Sequence, residues 1–88
     1  MNAIEKKKLK ALAHPLNPVV MIGQAGLTPA VIKEINIALD VHELIKIKIR
    51  AERDDRNIIK TQIGDETNAE LIQSIGQVAV FYRKNPKK

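Results

Sequence analysis

Val19-Val20-Met21-Ile22-Gly23-Gln24-Ala25-Gly26-Leu27-Thr28-Pro29, residues 19–29, joins three kinds of local signal in eleven residues. An unbroken apolar run meets a glycine-bounded tetrapeptide and then a helix start, so the segment reads as strand, loop, helix. Thr28 is a residue type that caps a helix with its hydroxyl. Pro29 suits the first helical position, where its missing N–H would have no partner anyway. Such a helix start carries unpaired N–H donors and the positive end of a dipole, and glycine lets an anion approach the backbone closely. Gly23, Gln24, Ala25 and Gly26, backed by Thr28, are therefore candidates for cradling a phosphate. Gln24 and Ala25 are uncharged, so contact there would come from main-chain N–H groups, with the Gln24 amide as a side-chain donor. The same four residues also suit a bare strand-to-helix turn.

Working outward, residues 3–13 read as a helix with Leu9, Leu12 and Ala13 on one face and Lys6, Lys7 and Lys10 on the other. Pro15 should end it at His14. Residues 18–22 form a short strand, and its unbroken apolar run predicts burial on both faces. A second helix runs from Pro29 to about Asp40 with a core stripe of Val31, Ile32, Ile35, Ala38 and Leu39. Over 44–51, Ile45, Ile47 and Ile49 alternate with Lys46, Lys48 and Arg50, which predicts a strand with one apolar and one basic face. Asp54 or Asp55 should cap a third helix that reaches about Thr67 and carries Ile59 and Ile63 inward. Gly64 weakens that helix, and Asn68 suits the left-handed position that closes it. Residues 70–75 and 77–83 make a hairpin around Gly76. The expected order is α-β-α-β-α-β-β. Right-handed crossovers would make the first three strands mutually parallel, put both crossover helices on one face and leave the basic side of 44–51 partly open.

The chain has 88 residues, 15 Lys and Arg against 10 Asp and Glu, and no cysteine. This is one domain, expected over 1–84 with a flexible basic tail at 85–88. Positive charge collects at the ends. Residues 1–33 carry +4, residues 77–88 carry +4, and the middle carries −3. Lysine and arginine clusters of this kind provide the sequence-independent part of polyanion affinity, although a solvated surface has the same composition. Lys6, Lys7, Lys10, Lys33, Lys46, Lys48, Arg50 and Arg83 are the candidate basic contacts.

Other functions find little support. Without cysteine there is no disulfide framework, thiolate metal site or thiol nucleophile. His14 and His42 have no acid at a metal-ligand spacing, and Ser74 has no histidine near it in sequence, so neither a metal site nor an enzyme is expected. The N-terminus lacks the apolar core of a signal peptide and no run approaches a membrane span, which predicts a cytoplasmic protein. Phe81 and Tyr82 are the only aromatics. As strand neighbours they point to opposite faces, so no stacking platform for single-stranded bases is expected.

Three segments in order carry a resemblance. Leu12-Ala13-His14-Pro15-Leu16 leads to Pro18-Val19-Val20, Gly23-x-x-Gly26-Leu27-Thr28 follows, and His42-Glu43-Leu44-Ile45-Lys46-Ile47-Lys48 comes third. Over about residues 4–83 the chain resembles the CRM domain (chloroplast RNA splicing and ribosome maturation), in its stand-alone bacterial YhbY-type form. The resemblance implies a two-layer α/β fold like the C-terminal domain of translation initiation factor 3, with a four-stranded mixed sheet. It also implies a non-enzymatic RNA-binding protein, without cofactor or small-molecule substrate, that joins precursor large-subunit rRNA and pre-ribosomal particles as a monomer. The family's RNA-facing loop maps onto Gly23, Gln24, Ala25 and Gly26. Asn68, in place of a helix-ending glycine, and Gly64 depart from the usual pattern. Two alternatives stay open: binding of another structured RNA, such as tRNA or the mature ribosome, and an adaptor whose basic ends meet an acidic protein partner.

Overall fold

In the computed structural model, which describes residues 2–85, seven elements follow the expected order. They are α1 (Ala3–Ala13), β1 (Val20–Ile22), α2 (Pro29–His42), β2 (Leu44–Ile49), α3 (Arg53–Thr67), β3 (Glu70–Ile75) and β4 (Val78–Tyr82). The strands form one mixed sheet in the order β1-β2-β4-β3. β1 and β2 are parallel, with Met21 opposite Lys48, and β4 runs antiparallel between β2 and β3. β1, β2 and β3 therefore all point the same way, and the returning strand slots between the last two.

Alternation along β2 organises the core. Ile45, Ile47 and Ile49 are buried, and with Val20, Ile22, Ala79 and Phe81 they meet Ile35 and Leu39 of α2 and Ile59 and Ile63 of α3. A fully buried isoleucine contributes on the order of 2 kcal/mol, so this layer holds most of the fold's hydrophobic stabilisation. On the other face, Leu9 and Ala13 of α1 pack on Leu44, Ile72, Val80 and Tyr82. Lys46 Nζ donates to the His14 carbonyl at 3.0 Å and so satisfies an orphan acceptor at the end of α1. Leu12, read on one face with Leu9 and Ala13, lies outside this cluster and is 63% exposed.

Local chemistry sets most element ends. Asn2 accepts from the Glu5 N–H at 2.8 Å and caps α1, and Thr28 accepts from the Val31 N–H at 3.2 Å and caps α2. α2 runs past Asp40 to His42, where Glu43 takes a positive φ of 63°. The predicted aspartate cap of α3 is not formed. Glu52 holds the N-cap position without a side-chain bond, and Asp54 and Asp55 fall in the first turn. Acids there still complement the helix dipole. Asn68 is left-handed as expected, at φ 58°. The helix runs through Gly64, where an added Cβ would stand 3.4 Å from the Ala69 carbonyl oxygen. β1 is shorter than predicted and open on one side, with Met21 58% exposed. It is an edge strand, and α1 covers the opposite half of that face.

Arg83 closes the structure. Its guanidinium donates to Asn36 Oδ1 (2.7 Å), the Asn36 carbonyl (3.2 Å), the Thr67 carbonyl (2.7 Å) and Asp40 Oδ1 (2.8 Å). The chain after β4 is thereby tied to both helices of the core layer. Asn85 is held as well, its N–H donating to Glu43 Oε2 at 2.7 Å, so the predicted tail does not begin there. The rest of that tail, 86–88, lies outside the described residues. Among the described residues, no helix is long and apolar enough to cross a membrane.

Replacing Arg83 by alanine strips partners from Asn36 and from the Thr67 carbonyl, whose residue is itself buried. Urea unfolding should show a loss of about 2 kcal/mol, and an unchanged midpoint and slope would refute the tie.

Candidate nucleic-acid interface

Parallel strands place their C-terminal ends, and the loops that leave them, at one edge of a sheet, and crevices form there. Here β1 exits into residues 23–26 and β2 into residues 50–52. The two exits are bonded together, the Arg50 N–H donating to the Ile22 carbonyl at 2.9 Å. The hairpin tip arrives at the same end, with Ile49 N–H donating to the Gln77 carbonyl at 2.7 Å.

Gln24 and Ala25 are the central residues of a turn closed by the Gly26 N–H donating to the Gly23 carbonyl at 3.1 Å. Their own amides lie outside that bond, on an exposed apex. Behind them Thr28 caps α2, so the turn sits against the positive end of a 14-residue helix. The two glycines differ. Gly26 has φ +72°, a conformation that disfavours side chains. Gly23 lacks a positive φ, and a Cβ added to it would meet nothing within 4 Å. The fold accounts for Gly26 but gives no reason for Gly23 to be glycine.

The basic candidates divide by place. Arg50 is exposed and shares a cleft with Gly23, Gln24 and Gly26. Lys48 lies between Met21 and Val78 on the open half of the second sheet face, next to the loop end. Lys10 borders the same open region through Gln73 and Ile75, and Lys7 is exposed one turn earlier on α1. Lys33 is exposed one turn into α2. Lys46 belongs to this face but spends its ammonium on His14, and Lys6 is half-buried on α1. Arg83 does not join them, because its donors are committed inside the fold. The structure thus gathers the loop, Lys48 and Arg50 at one end, with Lys7 and Lys10 farther along the same face. Phe81 is buried and Tyr82 is packed beneath α1, so neither offers a ring to a base. Among the described residues, no group of three or more His, Asp or Glu stands where it could hold a metal.

Sequence reasoning missed Asp55, Ile58 and Gln62 of α3, which line the loop's cleft together with Glu52. Their spacing of i, i+3, i+7 was readable as a helix stripe. Its proximity to the loop was not.

The model of the CRS1 / YhbY (CRM) domain family matches residues 1–83. A Pseudomonas aeruginosa protein named "Probable RNA-binding protein PA4753" is 45% identical over 84 residues, covering 94% of this chain and 81% of its own. A Haemophilus influenzae protein named "RNA-binding protein" is 50% identical over 80 residues, covering 90% of this chain and 81% of its own. The solution structure of the hypothetical protein SAV1595 from Staphylococcus aureus superposes with a TM-score of 0.83 at 33% identity, over 96% of this chain and 88% of that one.

The contrast between the glycines is measurable without any ligand. Gly26→Ala should lose about 1 kcal/mol by thermal or urea unfolding because of its positive φ, whereas Gly23→Ala should be neutral or slightly stabilising. Equal losses at both positions would remove the distinction.

Proposed function

The chain belongs to the CRS1/YhbY (CRM) domain family, and from that premise we propose that it is a non-catalytic RNA-binding protein of large-subunit ribosome assembly. It acts as a single RNA-binding unit over about 1–84, as a monomer in the cytoplasm, where it meets precursor rRNA and pre-ribosomal particles. Gly23, Gln24, Ala25 and Gly26 receive phosphate on main-chain N–H groups at the N-terminus of α2. Arg50 and Lys48 lie beside them, and Lys7, Lys10 and Lys33 extend the positive field. Lys6 and Lys46 add charge at its margin. Relatives whose names describe RNA binding support this reading.

One observation carries it. The turn is solvent-facing, closed by its own backbone bond, and bounded at Gly23 by a glycine that the fold does not require. A turn that served only to connect β1 to α2 would accept a side chain there. With no exposed aromatic platform, affinity must come from phosphates and from the shape of folded RNA, not from stacked bases. Such binding is strongly salt-dependent, because each neutralised phosphate releases counterions.

The test uses a folded fragment of precursor large-subunit rRNA. If about six phosphates are engaged, affinity should fall roughly 10³-fold between 50 and 200 mM salt, and a near-flat response would sink the electrostatic reading. Changing Gln24 and Ala25 together to aspartate keeps both glycines and the Thr28 cap, and acids near a helix N-terminus do not oppose the helix. Affinity should drop at least tenfold, about 1.4 kcal/mol, with the melting temperature unchanged. Binding equal to that of the parent would reduce the loop to a turn. Crosslinking in cells and sequencing of the attached RNA should recover precursor large-subunit rRNA. Recovery of tRNA or mature rRNA alone would move the protein out of assembly.

A further inference from the structure

The cleft beside the glycine loop has two unlike walls. One is the turn with Arg50, rich in N–H donors and positive charge. The other is α3, where Asp55, Ile58 and Gln62 stand at i, i+3 and i+7 and so form a single stripe. Ile58 is 58% exposed although its neighbours Ile59 and Ile63 are in the core, so the fold does not use it. A surface meant only for phosphates would not carry a carboxylate and a bare apolar side chain. The space measures about 550 Å³, room for one nucleotide, and opens to solvent.

Resting on the RNA reading above, we propose that this cleft is a subsite for one unpaired nucleotide whose base bears an exocyclic amine. The phosphate lies against the loop and Arg50. The base plane covers Ile58, its amine donates to the Asp55 carboxylate, and the Gln62 amide donates to the adjacent ring nitrogen. Adenine and cytosine both present an amine next to a ring acceptor on the Watson–Crick edge. Uracil presents a single imino donor flanked by two carbonyls, which the Asp55 carboxylate repels. The site therefore adds base selection to a protein without stacking aromatics, and it gives the acidic start of α3 a role that phosphate binding alone would oppose.

The probes are twelve-residue oligomers of rC, rA and rU, which carry equal charge, measured against the parent, Asp55→Asn and Ile58→Ala. The parent should bind rC and rA about tenfold more tightly than rU, the discrimination expected of one well-placed carboxylate–amine contact. Asp55→Asn should bring the three within about twofold of one another. Ile58→Ala should weaken rC and rA by about threefold or more through loss of the apolar wall. Both positions are exposed, so melting temperatures should hold. Equal binding of all three oligomers by the parent, or variants that behave like it, would overturn the subsite and leave the cleft to another occupant. Binding of folded rRNA with no measurable binding of any oligomer would overturn it too, because a site for an unpaired nucleotide must register one. The aspartate pair at Gln24 and Ala25 separates the two readings. It should weaken binding of every RNA at least tenfold, so a lost subsite with an intact loop effect counts against the subsite alone.

Discussion

Two parallel strands cannot be joined by a tight turn, and this constraint organises the molecule. To set Val20–Ile22 beside Ile47–Ile49 in parallel, the chain must cross the sheet, and α2 is that crossing. The same requirement recurs between β2 and β3, which are also parallel, and α3 meets it on the same face. Both exits from the parallel pair then fall at one edge. The glycine turn and the 50–52 segment stand together because of how β1 and β2 pair, although Gly26 and Arg50 are 24 positions apart in sequence.

Two polar ties hold the layers that this crossing creates. Arg83 joins the last strand to α2 and α3 through Asn36, Asp40 and the Thr67 carbonyl, with its side chain 23% exposed. Asp40 is 69% exposed, so the ion pair itself contributes little; the bonds to Thr67 and Asn36, farther from water, matter more. On the opposite face, Lys46 ends α1 by donating to His14. A lysine on β2 thus reads as RNA-facing in sequence but serves in part to dock a helix. Lys48, two residues on, stands between Met21 and Val78 on the same face.

Charge follows the layers. The acids of residues 34–76 belong to α2, α3 and their flanks, while the lysines of α1 and of β2 lie on the other side of the sheet. On the proposed RNA reading, this polarity favours a polyanion at α1, the open sheet and the loop over one at the helical layer. Asp55 and Glu52 are the exception, acids at the loop end itself. The proposed nucleotide subsite rests on that exception.

Most of the element order was legible in the sequence, because it depends on local rules. Period-two alternation in 44–49, the Thr28-Pro29 start, the left-handed Asn68 and the hairpin glycine at 76 each act within a few residues. The burial of β1 was misread, since an apolar run does not say whether a strand sits at an edge. Likewise the N-cap of α3 is Glu52, two or three residues before the expected Asp54 or Asp55, because all three are acids that suit a helix start. The glycine loop as a candidate was a property of the sequence. Its neighbours were not. Sequence alone determined the strands, the helices and the turn, since propensity and periodicity are set by adjacent residues. Long-range packing put Arg83 to use inside the fold, gave Lys46 a partner in His14, and brought Asp55, Ile58 and Gln62 to the cleft beside the turn. Those facts depend on strand order and on which face each helix covers, and these are settled by the packing of residues far apart in the chain.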